Sequence, residues 1–106
     1  MRSFRRGAQL ELFNSKNMWY YTYVLFDRKL KKFYIGYTND IKRRLKEHHS
    51  KKTKTTAFMD PVLVYYEACL NPHDARVRET QLKTGFGRDY LKRRIGTYLK
   101  DIFMRA

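Results

Sequence analysis

The sequence predicts an α+β fold: a small three-stranded, mainly antiparallel sheet flanked by helices, in the order β-β-α-β-α-α. Three observations point there. Two aromatic and β-branched runs, WYYTYVLF and FYIGY, flank the polar break DRKLKK, the pattern of a hairpin. A third run, VLVYYEA, follows Asp60 and Pro61 and reads as another strand. The remaining segments carry apolar residues at helical spacing behind capping residues.

The elements follow in order. Residues 1–17 mix Arg, Ser, Asn and Gly with scattered apolar residues and no period, so they are expected to form a flexible basic leader before one domain over residues 18–106. Met18 is an alternative start. If residues 27–30 make the hairpin loop, Phe26 pairs with Lys31 and Tyr23 falls opposite Tyr34. Both phenols then share one face, with Tyr21 and Gly36 beside them. Gly36 leaves that surface open where a larger side chain would cover it. Thr38, Asn39 and Asp40 offer N-caps to a helix over IKRRLKEHHS, with Ile41 and Leu45 on its apolar stripe and Arg44 and His48 one turn apart on the flank. KKTKTT is a basic loop. Asn71 and Pro72 form a cap and first-turn pair for a second helix that Gly85 closes. A last helix over DYLKRRIGTYLKDIF carries Leu91, Ile95, Tyr98 and Ile102 as its apolar stripe.

Composition narrows the class. A chain of 106 residues fits one domain with a modest core. Cys69 is the single cysteine, and no Cys or His pairs stand at zinc-ligand spacing, which argues against disulfides and structural zinc and suits a reducing compartment. No apolar run approaches the roughly 18 residues of a membrane span, and the first residues lack the apolar centre of a secretory signal. The expected location is the cytoplasm, with no membrane partner. The 24 Lys and Arg against 10 Asp and Glu give a formal charge of +14, and such an excess favours polyanions through counterion release. Nucleic acid is the expected partner.

Glu79 is the most informative single position. On a helical wheel it lies in the middle of the stripe formed by Ala75, Leu82 and Phe86, so a carboxylate faces the core. Burying it unpaired costs several kcal/mol, and it must meet a cation, either an arginine or a divalent metal.

The spaced set Tyr23, Tyr34-Ile35-Gly36, Arg44 and His48, followed by Ala75-Arg76-x-Arg78-Glu79, closely resembles the GIY-YIG nuclease superfamily over residues 19 to about 95. It is most similar to short stand-alone bacterial members. Related domains occur in the incision subunit of bacterial excision repair, in phage homing endonucleases and in eukaryotic structure-selective resolvases. The resemblance implies a GIY-YIG-like fold and a metal-dependent endonuclease that hydrolyses DNA phosphodiesters in repair, recombination or mobile-element processing. The alternative is a catalytically silent nucleic-acid-binding domain with the same fold. The first motif reads Tyr21-Thr22-Tyr23, keeping only its tyrosine. No Asn follows Asn71, although many family nucleases carry one late in the domain; Gly87-Arg88 stands there instead.

By the same resemblance Tyr23, Tyr34, Arg44, His48 and Glu79 form the catalytic set, with Glu79 as ligand to one Mg²⁺ or Mn²⁺. Tyr23 acts as base on the attacking water only if cationic neighbours draw its pKa below the ordinary value of about 10. Arg43, Lys46, Lys51, Lys52, Lys54, Lys83, Arg88, Lys92, Arg93 and Arg94 are the expected backbone contacts, positioning nucleic acid without reading its sequence. DNA is favoured over RNA, and targeting falls to substrate structure or to a protein partner.

Overall fold

The computed structural model describes residues 18–50 and 60–105; residues 1–17, where a leader is expected, and Lys51, Lys52 and Lys54 lie outside these. Strands β1 (Tyr20–Asp27), β2 (Lys32–Thr38) and β3 (Pro61–Cys69) form one antiparallel sheet in the order β2-β1-β3. Helices α1 (Ile41–His49), α2 (Pro72–Leu82), α3 (Gly85–Arg94) and α4 (Gly96–Arg105) complete the order, so the expected last helix is two. The central strand is the core: Thr22 to Asp27 are all buried. Alternation along β1 sends Val24 and Phe26 to one face and Tyr23 and Leu25 to the other. Val24 packs with Ile35, Leu82 and Leu91, and Phe26 with Leu99 and Ile102, so α2, α3 and α4 cover one face. Helix α1 covers the other, where His48 meets Tyr23.

The hairpin register differs from the expected one. Tyr23 pairs with Gly36, Leu25 with Tyr34 and Phe26 with Phe33, because the strand continues through Asp27 and the loop is residues 28–31. The cause is Asp27 itself. Its buried Oδ1 accepts hydrogen bonds from the backbone N–H of Lys29 at 3.0 Å and of Asp60 at 3.2 Å, an Asx-type turn that fixes where the chain reverses. Lys31 completes the turn at φ 58°, and its N–H donates to the Asp27 carbonyl at 2.7 Å. Moving the loop by one residue shifts the pairing by two, which preserves the faces. Tyr23, Tyr34 and Gly36 therefore share a face as expected, although Tyr23 and Tyr34 are diagonal neighbours. In β3, Val24 pairs with Tyr65 and Leu25 with Leu63, leaving Val64 as a bulge.

Asp40 caps α1, accepting from Arg43 N–H at 3.1 Å, and Asn71 caps α2, accepting from His73 N–H at 2.8 Å with Pro72 in the first turn. Helix α2 stops at Leu82, and Gly85 opens the next helix instead of closing this one. Gly87 is required at the junction, since a Cβ there would overlap the Leu82 backbone carbonyl. The stop rotates Phe86 out of the stripe that begins with Ala75 and Leu82, leaving it 55% exposed. A second break, at Ile95 (φ −127°, ψ 28°), does the same to Tyr98, which is exposed while Leu99 is buried in its place. The wheels run true within each helix and fail across the breaks.

Candidate active site on the edge strand

Strand β2 is an edge strand, so side chains from both layers can reach around its rim. They do so along one groove of about 790 Å³. Tyr23, Tyr34 and Arg44 line it from the α1 side of the sheet, and Glu79, Lys83, Arg88 and Lys92 from the α2–α3 side. Four of the five residues in the expected catalytic set thus line one cavity although they come from β1, β2, α1 and α2. His48 joins them through Tyr23.

That contact is the best-defined part of the site. The Tyr23 hydroxyl lies 2.9 Å from His48 Nε2, and Arg44 Nε–H donates to the same oxygen at 3.2 Å. A guanidinium can only donate, so the Tyr23 oxygen accepts from Arg44; in the arrangement that also uses the phenol proton, the hydroxyl donates to His48. Nε2 is then an acceptor, which requires a neutral ring protonated on Nδ1. Burial and the Arg44 charge both push the His48 pKa below its ordinary 6.5, consistent with that neutral form. Both aromatic partners meet the imidazole at steep angles, Tyr23 with centroids 5.7 Å apart and Tyr34 with centroids 5.6 Å apart.

His48 is the only residue of α1 that is fully buried, whereas Ile41 and Leu45 are half-buried. A polar residue occupies the position where an apolar one would be expected, and the hydrogen bond to Tyr23 offsets its burial.

Tyr23 does not have a lowered pKa. Removal from water raises it, and the hydrogen bond and charge of Arg44 oppose that only in part, while Tyr34 and Glu79 add to the rise. The expected shift fails because the ring is 1% exposed, packed over Gly36, and an ion there is poorly solvated. Gly36 is required: a Cβ would overlap Cζ and the hydroxyl of Tyr23. Arg44, which lines the groove, also donates from Nη1 to Glu47 Oε1 at 3.2 Å, a second tether on the guanidinium.

Glu79 lies one turn after buried Ala75 and three residues before buried Leu82, as the wheel indicates. Its carboxylate nonetheless reaches the groove, with its side chain 19% exposed, and the cation it meets is Lys83, Nζ to Oε2 3.0 Å. The preceding residue fixes this orientation. Arg78 Nε donates to both oxygens of Glu67 at 3.1 and 3.0 Å, and its Cζ sits 4.7 Å from the centroid of Tyr90. Tyr65 donates to Glu67 Oε2 at 3.0 Å and lies 3.3 Å from the Tyr90 hydroxyl. Thr22 Oγ1 donates to the Ala75 carbonyl at 2.7 Å. These bonds clamp α2 to the sheet, and since adjacent helix residues point about 100° apart, seating Arg78 on β3 turns Glu79 toward β2.

Among the described residues no three His, Cys, Asp or Glu side chains gather as a metal cage. The donor set nevertheless fits a hard divalent cation of the Mg²⁺ kind. Such ions keep several waters and need only one or two carboxylates when substrate oxygens supply the rest, and Glu79 presents one carboxylate beside room for a phosphodiester.

The expected backbone contacts divide. Lys83, Arg88 and Lys92 line the groove. Arg93 and Arg94 are exposed at the end of α3 without lining it, and Arg43 is exposed on α1. Lys46 lines a different, shallower cleft with Arg28 and His49. Arg76, Tyr37, Lys31 and Lys32 line the groove and were not among the expected residues. For Arg76 the sequence holds a signal, since it precedes Glu79 by three residues and lies on the same flank of the helix.

Fold and groove together define a small α+β domain whose edge-strand groove gathers one acid, two phenols and several cations. The profile of the GIY-YIG catalytic domain matches residues 19–92, and the chain belongs to this family of nucleases. No curated protein and no solved structure matches the chain.

Proposed function

We propose that the chain is a metal-dependent endonuclease that hydrolyses phosphodiester bonds in DNA, acting in the cytoplasm in repair, recombination or mobile-element processing. The observation that carries this reading is the convergence of Glu79, Arg44, Tyr23 and Tyr34 on one groove. A surface that only bound phosphates would gain nothing from a carboxylate among its cations.

Glu79 holds one Mg²⁺ or Mn²⁺. When bound, the ion supplies Lewis-acid stabilisation of the departing oxygen. Arg44 is anchored through Nε and Nη1, and its Nη2 makes no hydrogen bond among the described residues, so it is placed to donate to a phosphate oxygen and offset the charge that accumulates there.

Because burial keeps Tyr23 protonated, it does not wait as a phenolate. As water attacks phosphorus, His48 is the base and Tyr23 only the relay: the Tyr23 oxygen takes the proton of the water while its own proton passes to His48 Nε2. The phenol stays neutral overall and the imidazole becomes imidazolium. The hydrogen bond from Arg44 stabilises whatever negative charge builds on the phenol during the exchange. Tyr34, on the same face and against the same imidazole, orients the water or the phosphate.

The Lys83 contact favours one second reading, a silent binding domain in which the ammonium permanently satisfies Glu79. Supercoiled plasmid incubated with Mg²⁺ or Mn²⁺ separates the two. The endonuclease reading expects nicking by the wild type and its loss in Glu79→Ala, Arg44→Ala and Tyr23→Phe. Binding without nicking of plain, branched or damaged DNA in either metal would establish the silent reading.

A further inference from the structure

The groove ends on one side in a feature that phosphate binding does not use. Tyr37 of β2 and Tyr20 of β1 lie with ring planes within 7° of parallel and centroids 6.5 Å apart, and the guanidinium carbon of Arg76 sits 4.2 Å from the centroid of Tyr37. Arg76 and Tyr37 both line the groove.

Arg76 differs from the arginines that are tied to carboxylates. Arg28, Arg44 and Arg78 each pair with a carboxylate, at 2.7, 3.2 and 3.0 Å. Arg76 has no carboxylate partner among the described residues, is exposed, and rests on an aromatic face. A planar cation backed by a ring is the surface on which nucleobases stack. Arg76 precedes Glu79 by three residues, about 4.5 Å along the helix axis, and the two side chains line the same groove.

We propose that Arg76, supported by Tyr37 and Tyr20, is a stacking platform for one unpaired base next to the phosphodiester held at Glu79. The preferred substrate is then DNA that is single-stranded or opened at the cut. This rests on the endonuclease reading and adds the substrate class to it. Within a duplex the faces of each base are covered by its stacked neighbours, which leaves Arg76 nothing to stack on. A phosphate on Arg76 would need its charge but no ring beneath it.

The test is binding in EDTA, where no cleavage occurs, to a duplex interrupted by a short unpaired stretch containing 2-aminopurine, compared with the same sequence fully paired. The wild type is expected to bind the interrupted probe about tenfold more tightly than the intact one and to quench its fluorescence, the scale of one base–aromatic stack. Arg76→Met on the surface of α2 and Tyr37→Leu lose both the preference and the quenching. Lys92→Met weakens binding to both probes alike. Equal affinity of the wild type for the two probes, or undiminished quenching in Arg76→Met, overturns the platform and leaves the endonuclease reading standing. Failure of the wild type to bind either probe overturns both.

Discussion

Tyr23 and Gly36 are directly opposed in the β1–β2 ladder, and the phenol occupies the space where any side chain at position 36 would begin. Gly36→Ala therefore forces the ring aside and breaks its bonds to His48 and Arg44. Overpacking of this kind costs about 1–3 kcal/mol, so urea unfolding should show a lower midpoint and plasmid nicking should be lost. A variant with wild-type stability and nicking would mean that the ring does not need its present position.

The buried imidazole sets a pH dependence. Burial, and after it the Arg44 charge, depresses the folded pKa of His48 below 6.5, so on acidification the unfolded chain takes up this proton first. By linkage the stabilisation is fully present above 6.5 and is lost as pH falls from 6.5 through the folded value. Denaturation between pH 8 and pH 5 should show the wild type weakening across that window, with His48→Gln less stable at pH 8 but flatter below. Nicking should fall in the same window, because protonated Nε2 no longer accepts from Tyr23. Parallel stability curves for the two proteins would remove His48 from the acid transition.

Arg78 is expected to matter to stability through Glu67. The pair is doubly hydrogen-bonded but partly open to solvent, with side-chain exposures of 23% and 32%, so its coupling is discounted to about 1 kcal/mol. A double-mutant cycle with Arg78→Met and Glu67→Gln measures it. Additive effects in that cycle would show that the Arg78–Glu67 pair does not hold α2.

The division of the basic residues gives a salt-dependence prediction. Each phosphate contact contributes about 0.9 to the slope of log affinity against log salt on duplex DNA. Lys83→Ala, Arg88→Ala and Lys92→Ala should each reduce the slope by about that much, whereas Arg43→Ala and Lys46→Ala, which lie away from the groove, should leave it unchanged. A reversed pattern would place the DNA path over α1.

Much of this site was legible before any coordinates. The pairing of Tyr23 and Tyr34 on one face depended only on parity, which survives a two-residue register error, so the face came out right although the partners did not. Asp27 decided the true register, through hydrogen bonds to Lys29 and to Asp60 across the sheet, and the second of these has no trace in local sequence. Glu79 is legible because one acid in an apolar stripe stands out, but its partner is not, since Lys83 meets it one turn later from the exposed C-cap, where one lysine among many carries no pattern. Phe86 and Tyr98 misled because helix breaks at residues 83–84 and at Ile95 reset the angle, and the sequence carries no proline to announce either. The sign of the Tyr23 pKa shift was beyond reach for a related reason: counting nearby cations says nothing about how completely a ring is withdrawn from water.

The edge position of β2 has a temporal side. Tyr23, Tyr34 and Arg44 belong to the first half of the chain and Glu79 to the second, and they meet only where α2 wraps past the rim of the sheet. A nascent polypeptide still short of residue 79 owns the phenols and the guanidinium but lacks the acid, and a finished one whose α2 has come undocked is in the same position. The complete groove is thus a late product of synthesis, assembled only once residue 79 has emerged and α2 has docked.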